Sequence, residues 1–202
     1  MVKMSKTITA WLSIGSTYTF LTALRIRNFT KQNNLKIEIK PISIRQIMKE
    51  MDNIPFPPSK KSKVDYMWRD IERRAEFYDL PKPRLPAPYP LKEFDRANQV
   101  GILLNFQGKY LEYFEETYRV WFLEGIEAGS EENLRKSLSK MSLNFDEIVT
   151  RANDAEVIAA YEANTLEAQQ LGIFGAPSFT IGNEIFWGDD RLEDAVQFLK
   201  GI

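Results

Sequence analysis

The chain has 202 residues and neither a cysteine nor a histidine among them. Without cysteine there can be no structural disulfide, no thiolate metal site and no cysteine nucleophile. Without histidine the commonest general base and the commonest metal ligand are gone, so no Ser-His-Asp triad and no histidine-ligated zinc can be built. No metal site is expected. Charge of one sign is also lacking, with 27 basic against 28 acidic residues, so no excess points to nucleic acid or to a membrane surface. No apolar run approaches the ~20 residues that span a bilayer. Residues 1–9 carry two lysines, but the apolar stretch behind them is broken by Ser13, Gly15 and Ser16, which is not the pattern of a signal peptide. A cytoplasmic protein is expected. Its chemistry must use hydroxyls, lysine, arginine, carboxylates, backbone groups or a bound cofactor.

What is present is a discontinuous α/β pattern. Residues 7–12 read as a strand, residues 17–31 as one helix with Tyr18, Leu21 and Leu24 inward, and residues 35–42 alternate as a second strand. Such a unit has parallel strands and a right-handed crossover. Gly15 suits a tight turn and Ser16 a helix cap. Proline-rich loops follow at 53–59 and 81–90, with helical spacing at 63–78, 93–107, 110–124, 131–141, 145–152 and 154–171. Strands return at 178–181 and 184–187 around Gly182-Asn183, a two-residue hairpin turn of type I′ or II′. A helix over 191–200, capped by Asp189 or Asp190, closes the chain. Residues 1–43 and 154–202 therefore form one discontinuous domain, and residues 44–153 an all-helical insertion.

Three short stretches carry the candidate chemistry, and each also has a plain structural reading. Ser16-Thr17-Tyr18-Thr19 lies between strand and helix, where free N–H groups favour negative charge; Ser16 can equally be a simple cap. Phe174-Gly175-Ala176-Pro177-Ser178-Phe179 puts a proline just before a strand; a trans proline starting that strand is the alternative to a cis one. Phe186-Trp187-Gly188-Asp189-Asp190-Arg191-Leu192 sets two carboxylates before a helix, as caps or as partners for an ammonium group. The aromatics of the insertion (Trp68, Phe94, Tyr110, Phe114, Tyr118, Trp121) stand at helical spacing and read as core before they read as a pocket.

Taken together, these three stretches resemble the 2-hydroxychromene-2-carboxylate isomerase family, itself similar to kappa-class glutathione transferases and more distantly to the disulfide oxidoreductase DsbA. Tyr66, Arg69 and Asp70, and Trp121-Phe122-x-Glu124-Gly125, extend the resemblance along nearly the whole chain. It implies a thioredoxin-like fold with a large all-helical insertion and glutathione as cofactor. It implies that Ser16 contacts the glutathione sulfur, that Pro177 is cis and that Ala176 pairs with the cysteinyl backbone. By the same resemblance Asp189 and Asp190 hold the γ-glutamyl end, while Lys63 and Asn53 reach the glycyl end. Tyr18 and Thr19 are candidates for substrate contact or proton transfer. The implied reaction is reversible thiolate addition to an unsaturated aromatic ketoacid, a small-molecule substrate, and a homodimer is a family-level expectation. Two departures stand out. Ser16-Thr17 replaces the family's Ser-Pro, and Pro90-Leu91-Lys92-Glu93 replaces its Pro-x-Asn-Ser. Two other readings remain open: a kappa-type glutathione transferase or peroxidase, and a non-catalytic thioredoxin-like binding protein. A disulfide oxidoreductase is excluded by the cysteine count.

Overall fold

The computed structural model describes residues 7–53, 56–57 and 59–201. The expected proline loop at 53–59 falls partly outside them, at residues 54, 55 and 58. Four strands form one mixed sheet in the order β2-β1-β3-β4, where β1 is Ile8–Leu12, β2 Ile37–Pro41, β3 Ser178–Ile181 and β4 Glu184–Trp187. β1 pairs parallel with β2, from Ile8↔Ile37 to Leu12↔Pro41, and antiparallel with β3. The two central strands are buried: Ile8, Ala10, Trp11 and Leu12 of β1 and all four residues of β3, and Trp11 Nε1 donates to Thr180 Oγ1 at 3.0 Å.

Strand pairing decides where the loops meet. The chain leaves β1 after Leu12 and enters β3 at Ser178, and antiparallel pairing sets Trp11 opposite Ser178. The β3–β4 hairpin sets Ser178 opposite Trp187. Residues 13–18, 174–177 and 188–191 therefore converge at one end of the sheet. In the hairpin turn Gly182 alone takes positive φ, at 59°, which is the II′ pattern of the two types expected.

Helices supply the rest. α1 (Thr19–Ala23) and α2 (Ile26–Gln32) follow β1; α3 (Ile44–Glu50), α4 (Lys61–Phe77), α5 (Phe94–Phe106), α6 (Tyr110–Glu124), α7 (Glu131–Lys140), α8 (Phe145–Arg151) and α9 (Ala155–Gln170) lie between β2 and β3; α10 (Leu192–Lys200) ends the chain. α4 buries Met67, Ile71 and Ala75, one face at four-residue spacing. α6 is the aromatic helix, and Tyr110, Phe114, Tyr118 and Trp121 are all at most 2% exposed, as core residues should be. No helix among the described residues is long and apolar enough to cross a membrane.

Three expectations need correction. The single helix over 17–31 is two helices broken at Leu24–Arg25. The Arg25 guanidinium turns inward, stacks 3.5 Å over the Tyr78 ring, donates to the Asp189 carbonyl at 3.3 Å and pairs with Glu193, so tertiary contacts override a continuous helical pattern. Residues 44–50, assigned to no element, form α3, capped by Ser43 Oγ accepting from the Gln46 N–H. Neither Asp189 nor Asp190 caps the last helix; Arg191 stands at that position without a side-chain capping bond, and Asp189 is drawn inward by Arg74.

Candidate functional site

Ser16 sits half-buried where the three loops converge. Its Oγ donates to the Ala176 carbonyl at 2.7 Å, so it bridges the turn after β1 to the loop before β3 instead of capping α1. The Ala176-Pro177 peptide is cis. The third loop is tied to this pair, since the Gly188 N–H donates to the Pro177 carbonyl at 3.0 Å. Among the described residues the Ala176 N–H donates to no backbone group, so one donor and one hydroxyl lie side by side. α1 has only five residues, so the helix-dipole contribution expected from a long helix behind Ser16 is largely lost.

The turn that carries Ser16 is held by the insertion. Asn98 of α5 is fully buried and works as a short strand would: its Oδ1 accepts from the Ile14 N–H at 2.8 Å and its Nδ2 donates to the Ile14 carbonyl at 2.9 Å. The Tyr118 hydroxyl of α6 lies 2.8 Å from the Ser16 carbonyl and 3.2 Å from that of Ser13, and it accepts from the Gly15 N–H at 3.4 Å. Burial holds the Tyr118 phenol well above the ordinary tyrosine value, against the weak opposing pull of the Gly15 N–H, so the group stays a donor. Thr17 Oγ1 donates to Met67 Sδ of α4 at 3.0 Å. Gly15 has φ 126°, and a Cβ there would lie 2.1 Å from the Phe94 ring, so only glycine fits.

Beside this turn Tyr18 donates to Asp70 Oδ2 at 3.0 Å, while Tyr66 and Arg73 donate to Oδ1 of the same carboxylate at 3.5 and 2.9 Å. Burial first, and the bond to Asp70 second, hold the Tyr18 phenol far above its usual value. Tyr18 is thus a committed donor and not a base near neutral pH. Its ring lies 6.3 Å from Phe56, and the Lys63 ammonium lies 5.3 Å over the same Phe56 ring. Lys63 is exposed and has no carboxylate within ion-pair distance among the described residues.

The two neighbouring carboxylates differ. Asp189 is buried and receives both Nε and a terminal N–H of Arg74, at 3.0 and 2.8 Å, and Arg74 also donates to the Tyr78 hydroxyl at 2.8 Å. Burial pushes the Asp189 carboxyl above its ordinary value, with the Arg74 charge pulling the other way. Asp190 is half-buried, its nearest cation being Arg191 at 3.4 Å.

Of the residues picked from sequence, the fold brings Ser16, Ala176 and Pro177 into contact, sets Asp189 and Asp190 beside them and links Tyr18 to Lys63 through Phe56. Asn53 stands exposed after α3, its N–H on the Met48 carbonyl at 2.8 Å. Thr19 is fully buried in α1, which removes it from any substrate. Asn98, Tyr118, Asp70 and Arg74 are the residues that sequence reasoning missed as parts of the site. Two of them carried a signal: Tyr118, which reads as core, and Asp70, which extends the family resemblance without an assigned role.

The model of the DSBA-like thioredoxin domain matches residues 7–200. A 2-hydroxychromene-2-carboxylate isomerase of Sphingobium xenophagum is 26% identical over 97% of this chain and 99% of that protein. The glutathione S-transferase kappa 2 of Caenorhabditis elegans is 26% identical, covering 81% of this chain and 78% of that one. A solved 2-hydroxychromene-2-carboxylate isomerase superposes with a TM-score of 0.82 at 21% identity, over 96% of this chain and 95% of the other. The fold is thus the thioredoxin-like one with a helical insertion.

Proposed function

The chain belongs to the family of DSBA-like thioredoxin domains, and we propose that it is a glutathione-dependent isomerase of an unsaturated aromatic ketoacid; a relative is named 2-hydroxychromene-2-carboxylate isomerase. The absence of cysteine removes thiol–disulfide exchange by the chain itself, so any sulfur chemistry requires a thiol from outside. One observation carries the reading: the Ser16 hydroxyl stands 2.7 Å from the carbonyl that precedes cis Pro177, with three loops converging on it.

The residues present fit glutathione at its sulfur and along its backbone. Rotation about one torsion would turn the Ser16 hydroxyl from the Ala176 carbonyl to a sulfur, lowering the cost of its negative charge. The Ala176 backbone would pair with the cysteinyl peptide. The buried Asp189 is already neutralised by Arg74, so the ammonium end falls to Asp190. Lys63 is free to meet the glycyl carboxylate. When bound, glutathione supplies a nucleophile that adds to an activated double bond and leaves again after rotation about it. Tyr18 keeps its proton on the Asp70 side, so proton return in this reading uses water or the substrate's own hydroxyl, and Tyr18 positions α4 against the turn.

Calorimetric titration of glutathione into the wild type and Ser16→Ala, with S-methyl-glutathione as control, tests this. Binding to the wild type that weakens about tenfold in Ser16→Ala is expected, the scale of one hydrogen bond to a charged group. A wild type that ignores millimolar glutathione would sink the proposal. If glutathione binds and the protein conjugates it to electrophiles without isomerising 2-hydroxychromene-2-carboxylate, the kappa-type transferase reading takes its place.

A further inference from the structure

A cavity of about 540 Å³ opens between α4, the 84–90 loop and the end of α6. Rings and prolines make up much of its wall, with polar groups among them. Trp68 and Tyr89 meet edge to face with centroids 6.2 Å apart, and Phe56, Val64 and three prolines complete the lining. A wall of rings and prolines is suited to a planar unsaturated ligand, since it offers faces and edges at fixed orientation.

One charged side chain lines this cavity, Arg84. Among the described residues no carboxylate lies within ion-pair distance of it. It is held instead by backbone: its N–H donates to the Phe122 carbonyl at 2.6 Å and its guanidinium to the Glu124 carbonyl at 3.2 Å. Gly125, at φ 77°, ends α6 just behind it, and a Cβ there would lie 3.4 Å from Arg84 Cδ. A guanidinium has five N–H donors in a planar fork, and a single carbonyl satisfies one of them. Among the described residues no second acceptor meets this exposed guanidinium, so its remaining donors match a carboxylate taken side-on.

We propose that Arg84 is the charge-selecting residue of this cavity and that the cavity takes planar unsaturated acids in preference to their neutral isosteres. The assignment rests on the proposed function only in identifying the cavity as the substrate's seat. The chemistry that defines the ligand is that of the walls.

The test compares trans-cinnamate with its neutral isostere cinnamamide by calorimetry, using wild type, Arg84→Met and Arg84→Lys. Methionine keeps an unbranched apolar stem, and an exposed position should leave thermal stability unchanged. Wild type should bind cinnamate about tenfold more tightly than the amide, Arg84→Met should bind the two alike, and Arg84→Lys should recover part of the preference. The assignment is overturned if wild type binds both equally, if neither binds at millimolar concentration, or if Arg84→Met keeps the preference. Glutathione titrated into the same proteins separates the two ideas. Glutathione binding without acid selectivity removes Arg84 alone, whereas acid selectivity without glutathione binding removes the isomerase reading and leaves Arg84 standing.

Discussion

The turn at residues 13–18 and the proline loop at residues 84–90 are both held by helices of the insertion, but by opposite means. In the turn, buried side chains reach in and take hold of backbone: Asn98 binds both polar groups of Ile14, and Tyr118 binds the carbonyls of Ser13 and Ser16. In the loop, backbone carbonyls do the holding. Pro88 accepts from Trp121 Nε1 at 2.8 Å, and Phe122 and Glu124 accept from Arg84. The turn is over-determined, with Ser13, Ile14 and Gly15 buried and Ser16 half-buried, whereas the loop leaves its one charge and its rings facing a cavity. In the proposed function the Ser16 hydroxyl meets a single sulfur, a task that the first arrangement suits. A pocket that selects ligands by charge and flatness works with the second.

The comparison breaks most severely at Asn98. Asn98→Leu is nearly isosteric but strands the Ile14 N–H and carbonyl in the core, and each unsatisfied buried group costs about 1–3 kcal/mol. A loss of about 3–4 kcal/mol is expected in urea unfolding, with the slope unchanged. A loss below about 1 kcal/mol would mean that water replaces the amide and that the turn is not closed.

Arg74→Leu comes next. It leaves the buried Asp189 carboxylate without its cation, for which about 2–4 kcal/mol is expected near neutral pH, because Arg74 is itself 26% exposed. The pH dependence has a definite sign. Burial already raises the Asp189 carboxyl, and loss of Arg74 removes the larger of the attractions that opposed it, leaving that of Arg25. Between the unfolded carboxylate value of about 4 and the raised folded one, the folded variant binds a proton that the unfolded chain has released. Stability of the variant therefore falls as pH rises through that window, and its deficit against wild type is smallest in acid. Melts of both proteins between pH 4 and 8 check this; a deficit that grows toward acid would contradict it.

The strands and the long helices were legible in the sequence because their signals are local. Gly182-Asn183 fixed the 178–187 hairpin, and the aromatic spacing of 110–124 matched α6 residue for residue. The discontinuous order also followed, since strand patterns at both ends must share one sheet. What was not legible depends on partners far apart in the chain. Asn98 reaches Ile14 across 84 positions and Arg74 reaches Asp189 across 115. Arg25 breaks the first helix for partners that periodicity does not encode. Asp189 looked like a cap because its nearest neighbours in sequence begin a helix, yet its charge is spent on α4. Ser16 was open to both readings, and the bond to Ala176 decides against the cap.

Tyr118→Phe sharpens the comparison at smaller amplitude. The ring stays in the aromatic core and only the hydroxyl is lost, which costs about 1–2 kcal/mol for a buried bond to backbone. Tyr118 touches no ligand in the proposed mechanism; it is a positioning residue for Ser16. The variant should therefore weaken glutathione severalfold and S-methyl-glutathione much less, because only the thiolate uses the Ser16 hydroxyl. Equal weakening of both would show a general loosening of the site.

The smallest effect belongs to Lys63. It lies exposed over Phe56, between the turn and the cavity, and among the described residues its ammonium pairs with no carboxylate. Lys63→Gln should leave the melting temperature unchanged, as surface substitutions outside special features do. If Lys63 meets the glycyl carboxylate, glutathione should bind about two- to fivefold more weakly to the variant, on the scale of an exposed ion pair, and the loss should shrink with added salt. Glutathione amidated at that carboxylate supplies the contrast, since it should bind wild type and variant alike. A variant that weakens both ligands by the same factor would place Lys63 as a wall that supports Phe56 and not as the carboxylate's partner.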